Sequence, residues 1–371
     1  IIFTSISDAD GLASTTPQKG DWLNIVFSSG SQVNLDYVEF RYGGQGNSLP
    51  FYEMVNAVSA TININHSKFE NSQSTALHLM DSSGIVENSS FFDNNCGISV
   101  DSSNGVANTT YGGCYGVHTT GQVLSAAPQI INNQFVRNQL IGVEVRSGTA
   151  PIVDNNIFID NGYPMKIESS YPAITNSQLS NSTTSPNILN GIAISGYNHF
   201  SQNYTIKKDL PYILESNGSY VDSGATLTIQ PGTIFKTDID GPALFVYGGL
   251  IASTTSGNPI IFTSLNDDLR GGDTNGDGSA SSPQDGDWGN ITFAPGSTGN
   301  FVNTVFYYAG FGFIPHLLPA VNTLAKDFPA VAISGISPSA TSSQWIAEHS
   351  YNFNKIIIHN FATINPQNFN Y

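Results

Sequence analysis

The chain has 371 residues, only 11% of them are charged, and its formal net charge is −16 with 12 Lys and Arg. This length exceeds what one ordinary compact core holds, so we expect two domains or one repetitive array. Nucleic acid and anionic membrane surfaces are recognised through clustered basic residues, which this sequence lacks. No segment is apolar over the length of a bilayer span. Nucleic acid and direct membrane insertion are therefore not expected, whereas divalent cations and neutral sugars suit the composition.

A short repeat occupies residues 60–195. One large apolar residue recurs between asparagine-rich stretches, at Phe69, Phe92, Phe135, Phe158 and Leu179. Two of the intervals are about 23 residues, a length typical of one coil in a solenoid. Apolar side chains then alternate with period two, which indicates a strand with one buried face. Further strands are expected directly after Pro128, Pro151 and Pro172.

One such coil cannot bury its own apolar face. Stacking places Phe over Phe and aliphatic over aliphatic residues, which gives a continuous apolar column. Asparagines at repeated turn positions can bond to their equivalents in the next coil, so we interpret them as structural rather than as a binding row. The longer interval from Phe92 to Phe135 is predicted to hold one additional coil.

The two cysteines, Cys96 and Cys114, both lie within that interval. In an oxidising compartment they are expected to form a disulfide that closes the glycine-containing loop between them. Two unrelated buried thiols are the alternative. The choice depends on the compartment, which the cysteine spacing does not fix.

A second, longer repeat relates the beginning of the chain to residues 260–310. Ile1–Ser5 recurs as Ile260–Ser264, and Gly20-Asp21-Trp22 recurs as Gly286-Asp287-Trp288. The similarity continues in register to Gly43-Gly44 and Ala309-Gly310. Because several identities share one register, we interpret these two segments as copies of one structural block.

This duplication predicts two β-helix modules, at residues 1–200 and 201–371, which join near residues 197–211. Residues 203–259 precede the second copy, and the first copy has no counterpart of them, so the first module is expected to lack its upstream portion. Residues 311–349 fit the repeat least well. They are expected to hold a short helix, with Gln344–His349 as one candidate, or an insertion.

Several stretches of the second module resemble a known group of proteins. They are GATLTIQPGTIFK, GGLIASTTSGNPIIFTSLNDD, GGDTNGDGS and GDWGNITF, between residues 224 and 293. They resemble the pectin-lyase-like β-helix group, and more narrowly its repeat-bearing surface proteins of bacteria and archaea. The resemblance implies an all-β, right-handed parallel β-helix in two tandem stacked modules, and an extracellular location. It implies no single activity, because this fold carries lyases, hydrolases and inert stalks.

The acidic loop, residues 265–288, contains the sequence DTNGDG. Alternating oxygen side chains followed by glycine resemble the front of a calcium-binding loop. Gln284 stands where an EF-hand has its bidentate Glu, and no flanking helices are predicted, so a complete EF-hand is excluded. A calcium site within a β-helix loop is predicted, and an acidic solvated turn is the alternative. The candidate ligands are Asp273, Asn275 and Asp277, with Asp267, Asp268 or Asp285.

No catalytic residues are assigned. A glycosidase needs two carboxylates across the scissile bond, and the motifs of the polygalacturonases of this fold are absent. Arg270 is the only arginine beside the acidic loop, where we expect it to balance charge rather than to act as a lyase base. The seven histidines have no metal-site spacing. Trp22 and Trp288 could stack on sugars, but packing at the start of a coil is the preferred interpretation.

Seven N-x-S/T sequons are candidate glycosylation sites, in a chain whose Asn, Ser and Thr content produces about that many by chance. Asn65 and Asn88 occupy equivalent turns, where a glycan would point outward. The seven asparagines are Asn65, Asn88, Asn108, Asn181, Asn203, Asn217 and Asn290.

We therefore expect an extracellular structural or adhesive protein of the cell surface, such as a stalk, adhesin or filament subunit. The alternatives are a polysaccharide lyase or glycoside hydrolase of the same fold, and a non-catalytic carbohydrate-binding module. The expected partners are surface glycans or further copies of the chain. Apolar strands near both termini would allow head-to-tail assembly, and termini within a longer natural chain are the alternative.

Overall fold

A computed structural model describes residues 1–8, 16–45, 53–102, 127–180, 187–239, 241–254, 257–284 and 286–309, and three further strands near the C-terminus. All strand pairings within it are parallel. Among these residues the only helical element is a 3-10 turn at Ile6–Asp8. None of them forms a helix long and apolar enough to cross a membrane. The chain divides into two compact units, Ile1–Asn190 (unit 1) and Gly191–Tyr371 (unit 2).

Unit 1 is a parallel β-helix with three sheets, because every coil contributes one strand to each sheet in turn. Sheet 1 consists of β1 (Ile2–Phe3), β4 (Glu39–Arg41), β7 (Lys68–Glu70), β10 (Ser90–Phe92), β13 (Gln134–Val136), β16 (Ile157–Ile159) and β19 (Gln178–Leu179). Sheet 2 consists of β2 (Ile25–Phe27), β5 (Val55–Val58), β8 (Thr75–Met80), β11 (Cys96–Asp101), β14 (Ile141–Arg146) and β17 (Tyr163–Glu168). Sheet 3 consists of β3 (Gln32–Asp36), β6 (Thr61–Asn65), β9 (Ser83–Glu87), β12 (Gln129–Ile131), β15 (Ile152–Asp154) and β18 (Ala173–Thr175).

Unit 2 repeats this architecture, and its strands are grouped within the unit as sheets 4 to 6. Sheet 4 consists of β20 (Ile192–Ile194), β23 (Tyr212–Leu214), β26 (Ile234–Thr237), β29 (Ile260–Ser264), β32 (Thr304–Tyr307) and β34 (Trp345–Glu348). Sheet 5 consists of β21 (Asn198–Phe200), β24 (Ser219–Val221), β27 (Pro242–Val246), β30 (Asn290–Phe293), β33 (Val331–Ser334) and β35 (Ile357–His359). Sheet 6 consists of β22 (Tyr204–Ile206), β25 (Thr226–Ile229), β28 (Gly249–Ser253) and β31 (Thr298–Val302).

An aromatic column forms part of the core of unit 1, as the repeat predicts. Its rings stack face to face with centroids 4.8–5.1 Å apart. Such stacking adds to the free energy gained by burying the rings, and it fixes the register of successive coils. The column consists of Phe3, Phe40, Phe69, Phe91, Phe135 and Phe158.

The assignment of Phe92 to this column is wrong. Phe91 is the residue in register with Phe69 and Phe135, and it is fully buried. Successive side chains of a strand point to opposite faces, so the neighbouring Phe92 faces outward. There its ring lies beside Lys68 and Arg137, with charge-to-centroid distances of 5.7 and 5.8 Å. Phe91 and Phe92 both fit the repeated sequence pattern, and only the register of strand pairing shows that Phe91 points inward.

The prediction of an additional coil between Phe92 and Phe135 is also wrong. Strand β10 pairs directly with β13, and β11 pairs directly with β14. No coil can lie between strands that are hydrogen-bonded to each other, so the extra residues belong to an insertion within one coil. Most of that insertion, residues 103–126, lies outside the described residues.

The asparagine ladders are confirmed. Along one turn Asn94 donates to Asn138 at 3.1 Å, and Asn138 donates to Asn161 at 2.8 Å. Along the other turn Asn133 donates to Asn156 at 3.1 Å. All five side chains are buried. Each ladder therefore satisfies polar groups that would otherwise be costly to bury, and it links successive coils.

The turns explain why asparagine and aspartate are so frequent. The residue after five of the seven sheet 1 strands has a left-handed backbone, as at Asn71 (φ 58°) and Asp93 (φ 52°), and so does the residue after every sheet 3 strand, as at Asn132 (φ 58°). Asn and Asp tolerate this conformation better than other residues that carry a Cβ. Two such positions occur in most coils of unit 1, which accounts for the predicted turn–Phe–turn frame.

Two further predictions concern unit 2: where it begins, and a short helix at Gln344–His349. The division into compact units falls between Asn190 and Gly191, and the segment expected to join the two modules contains strands β21 and β22, so the modules 1–200 and 201–371 stay a prediction. The helix considered at Gln344–His349 is wrong, because Trp345–Glu348 is strand β34 and pairs with β32. A segment of six residues is too short for hydrophobic periodicity to distinguish a strand from a helical turn.

Candidate functional site

The acidic loop of unit 2 is built on the duplicated block. In both copies a serine hydroxyl donates to the aspartate of Gly-Asp-Trp, Ser5 to Asp21 and Ser264 to Asp287. In both copies a glutamine backbone N–H, from Gln18 or Gln284, donates to the same carboxylate at 3.0 Å. The aspartate thus closes the loop that leaves the preceding strand and returns before the tryptophan.

A second aspartate anchors the start of this loop in each copy. Thr4 donates to Asp8, and Thr263 donates to Asp267, both at 2.6 Å. Asp267 is fully buried and also accepts from Arg270 at 2.9 Å. The Arg270 guanidinium lies over the Tyr307 ring at 3.5 Å. Through these contacts Asp267 fixes the start of the loop. Arg270 balances the charge of Asp267, as the sequence predicts.

Lys236, in the preceding coil, binds the backbone of the loop. The sequence around it did not predict this role. Lys236 lies on β26 in the coil beneath the loop, and its side chain is fully buried. Its Nζ donates to the carbonyl oxygens of Asp267 at 2.9 Å and Gly272 at 2.6 Å. Burial lowers the pKa of Lys236 to about 8, against the opposing effect of the nearby aspartates. The signal in the sequence is a lysine in an otherwise apolar strand.

The loop itself folds around its own oxygens. Asp273 accepts the backbone N–H of Asp277 at 3.1 Å and of Gly278 at 2.9 Å. Gly276 and Gly278 take the positive φ values 71° and 75° that this tight path requires. The Asn275 amide donates to the Asp277 carboxylate at 2.9 Å. Short-range bonds of this kind fold the segment into a compact turn.

Three carboxylates converge on one side of this turn. Asp268, Asp273 and Asp277 each offer an oxygen, and these oxygens lie within 4.8 Å of one another. All three side chains are half-buried. The Asp268 Oδ1 is buried and has no hydrogen-bond partner. Burial, together with the charges of Asp273, raises the pKa of Asp268, which is the expected result of crowding carboxylates without a cation.

The other predicted ligands take different positions. The Asn275 amide nitrogen donates hydrogen bonds to Asn266, Asp277 and Ser281, so its side chain stabilises the turn. Asp267 faces Thr263 and Arg270 and is absent from the convergent group. Asp285 lies outside the described residues. Calcium binding by this loop stays a prediction, with the carboxylate geometry as its structural basis.

The two tryptophans pack as the preferred interpretation predicts. Trp288 is fully buried, and its Nε1 donates to the Tyr307 carbonyl at 2.8 Å. Trp22 is half-buried, and its Nε1 donates to the Arg41 carbonyl at 2.6 Å. The fully buried Trp288 therefore has no free face for a sugar ring, and the hydrogen bonds of both indoles link them to their coils.

A ladder of aromatic rings lies on the outer face of sheet 5, and the spacing of these residues in the sequence does not predict it. His199, Tyr220 and Phe245 stack with centroids 4.7 and 4.9 Å apart and are half-buried. Asp222 lies 2.8 Å from the His199 Nδ1. Tyr247 is 48% exposed and lies beside Tyr220. The rings cover one another's faces, so this ladder offers a ligand its row of ring edges, together with the exposed side chain of Tyr247.

The remaining candidate positions are only partly described. Cys96 is buried in β11 and is not a free thiol, but Cys114 lies outside the described residues, so their pairing stays a prediction. Asn88, Asn203 and Asn217 are exposed, and Asn65 is half-buried. Asn290 is buried at 1% exposure on β30, which leaves no room for a glycan in the folded protein. Asn108 and Asn181 also lie outside the described residues.

Comparison with known proteins identifies the fold. Residues 51–210 match the family model described as "right handed beta helix region". Together with the all-parallel sheets of both units, this match shows that the chain is an all-β, right-handed parallel β-helix. No curated protein and no solved structure matches the chain. The narrower resemblance to surface proteins of bacteria and archaea stays a prediction.

Proposed function

We propose that this chain is an extracellular structural or adhesive protein of the cell surface, a stalk, adhesin or filament subunit. The observation that carries the proposal is the continuity of its coil-to-coil bonding. In unit 1 the aromatic column and the asparagine ladders extend through successive coils. A solenoid linked by such rows resists deformation along its length, because every coil is held by backbone, amide and ring contacts at once.

The acidic loop supports the same proposal. A calcium ion held by Asp268, Asp273 and Asp277 would neutralise three carboxylates that now face one another. Oxygen ligands of this type suit calcium, and extracellular calcium is abundant enough to fill a site of modest affinity. Calcium would then stabilise unit 2 outside the cell.

Two measurements test the surface assignment. Antibodies to the folded chain should label intact, unpermeabilised cells, and brief protease treatment of those cells should remove the label. The purified chain should release no oligosaccharides from acidic or neutral polysaccharides, with or without calcium. Depolymerisation that is lost on mutating a carboxylate of the protein would refute the structural role and favour the enzyme alternative. Label confined to the cell interior would refute the location.

Carbohydrate binding is the second candidate function, and the aromatic ladder of sheet 5 favours it. Tyr220→Ala removes the central ring of the His199–Tyr220–Phe245 stack. If the ladder binds glycans, this variant loses glycan-array signal that the wild type shows. Tyr37→Ala is the matched control, because Tyr37 also stacks outward on a histidine, His66, at 4.7 Å in unit 1. Equal signal from both variants would exclude the ladder as the binding surface.

A further inference from the structure

A second polar cluster lies in unit 1, on sheet 2, far along the chain from the acidic loop. Asn56 on β5 and His78 on β8 are in register on neighbouring strands. Paired residues of this kind have Cα atoms about 4.8 Å apart and point to the same face of the sheet. They alternate with the apolar residues Val55 and Leu77, so they face away from the apolar column. Glu53, just before β5, reaches the same place, with its Oε1 3.8 Å from the His78 Nδ1.

These three side chains are buried without hydrogen bonds. Glu53 and Asn56 have no exposed surface, and His78 is 2% exposed. Both carboxylate oxygens, both amide atoms and both imidazole nitrogens lack a hydrogen-bond partner. At 3.8 Å the Glu53–His78 approach is too long for a hydrogen bond. Six unsatisfied polar atoms in one place are exceptional, because each such group costs about 1–3 kcal/mol and a carboxylate costs more.

On the neighbouring strands of this face the buried carboxylate of Glu144 accepts a hydrogen bond, which the carboxylate of Glu53 does not. On the next strands Ser99 donates to Glu144 at 3.3 Å, and Arg146 lies 3.8 Å from Glu144. Burial raises the pKa of Glu144, while Arg146 opposes that effect. Glu144 thus has both a donor and a cation beside it. Glu53 has no such donor, since neither of its oxygens accepts a hydrogen bond.

We infer that Glu53, His78 and Asn56 form a binding site for a divalent transition-metal cation. One carboxylate oxygen, one imidazole nitrogen and one amide oxygen would be its protein ligands. Metal–ligand bonds of about 2.0–2.1 Å span the 3.8 Å between the Glu53 Oε1 and the His78 Nδ1 without a change of backbone. A cation there would satisfy the acceptor atoms together and offset the buried negative charge.

The ligand set identifies the class of metal. Imidazole suits zinc and its first-row neighbours, whereas calcium and magnesium prefer oxygen ligands alone. The site therefore differs in chemistry from the all-oxygen acidic loop of unit 2. Zinc is the probe of choice, because it accepts mixed nitrogen and oxygen ligands and has no redox chemistry that would complicate the measurement.

The test is zinc titration of the full, tag-free chain by calorimetry, with metal content measured after dialysis against metal-free buffer. The wild type should bind one zinc ion per chain at this site, and Glu53→Gln and His78→Gln should lose it. Asp277→Ala should keep it, which separates this site from the acidic loop. His199→Gln should also keep it, because His199 has its own partner in Asp222.

Spectroscopy of the wild type provides a second test, which does not depend on whether the variants fold. Cobalt bound to the wild type should give visible ligand-field bands, and X-ray absorption of the zinc form should show a single imidazole in a mixed nitrogen and oxygen shell. A wild type that retains no zinc, a shell without imidazole, or unchanged binding in both folded variants would overturn the inference. In those cases Glu53 and His78 form a buried, metal-free pair.

Discussion

The two Gly-Asp-Trp blocks share one loop structure, but the loop has a different length in each. Both use the same serine, glutamine and aspartate bonds to close the loop before the tryptophan. They differ in loop length, since Gly20 lies 15 residues after Ser5 whereas Gly286 lies 22 residues after Ser264. The longer loop of unit 2 contains the convergent carboxylates. An insertion between conserved anchor bonds can therefore add a candidate metal site without altering the coil that carries it.

The blocks also differ in how their tryptophans pack. In unit 1 Gly43 lies against Trp22, where an added Cβ would be 2.6 Å from the indole Cζ2. At the matching position of unit 2, Ala309 forms a bridge with Trp288, and both residues are fully buried. The second block thus accommodates a methyl group that the first has no space for. The difference lies in the packing, because the hydrogen bond of the indole to a carbonyl is common to both.

The largest expected effect separates the two tryptophans. Trp288→Ala should lower the free energy of unfolding by about 3–5 kcal/mol, because it empties a fully buried site and leaves the Tyr307 carbonyl without its donor. Trp22→Ala should cost less, since Trp22 is only half-buried. Denaturant unfolding, monitored by hydrogen exchange of the backbone amides in each block, measures the loss of stability in both variants. Equal losses would mean that the two blocks pack alike.

Calcium should act on the second block alone. Saturation at 100 times the dissociation constant would add about 2.7 kcal/mol to the free energy of unfolding. Chelation should therefore lower the melting temperature of unit 2, and Asp277→Ala should abolish the difference. Asp8→Ala, at the loop anchor of the first block, is the control and should leave the calcium response intact. Melting curves indifferent to calcium in the wild type would make the acidic loop a solvated turn.

A methyl group tests the difference in packing directly. Gly43→Ala introduces the side chain that Ala309 already carries in unit 2, and it should cost about 1–3 kcal/mol because Trp22 and Met54 must move. The reverse change, Ala309→Gly, should open a small cavity and cost about 1 kcal/mol. Thermal unfolding of the two variants provides the comparison. A neutral Gly43→Ala would show that Trp22 shifts freely.

A further expected effect is a pH dependence of the stability of unit 2. The pKa of Lys236 falls from 10.5 to about 8 on folding, so between these values the unfolded chain holds a proton that the folded chain has released. The free energy of unfolding should therefore rise with pH across this window. Loss of the Lys236 charge should also raise calcium affinity severalfold, because the cation no longer opposes calcium near the carboxylates.

Lys236→Met should remove both parts of this pH dependence. Calcium titrations at intervals through the window provide the measurement, with the wild type as reference. A variant that keeps the wild-type profile would assign the titration to another group. Tyr204, whose pKa burial raises well above its ordinary value of 10, should oppose this rise near the upper end of the window, because unfolded tyrosines ionise there while the folded one keeps its proton.

The sequence alone determined the fold of this protein because a solenoid repeats its local rules. Asparagine at left-handed turn positions, one phenylalanine in each coil and period-two alternation are all visible without coordinates. The duplication likewise identified Trp22 and Trp288 as equivalent packing residues. Local chemistry also located the acidic loop, since the ligands of such a site lie close together in the chain.

Only the tertiary structure decided which residues meet between coils. Register selected Phe91 over Phe92 and showed that β10 pairs directly with β13, because a shift of one residue reverses every side chain of a strand. Stacking brought Lys236 beneath the acidic loop and placed Glu53 beside His78. Such contacts join residues at least 22 positions apart in different coils, so the pattern of residues within one coil does not predict them.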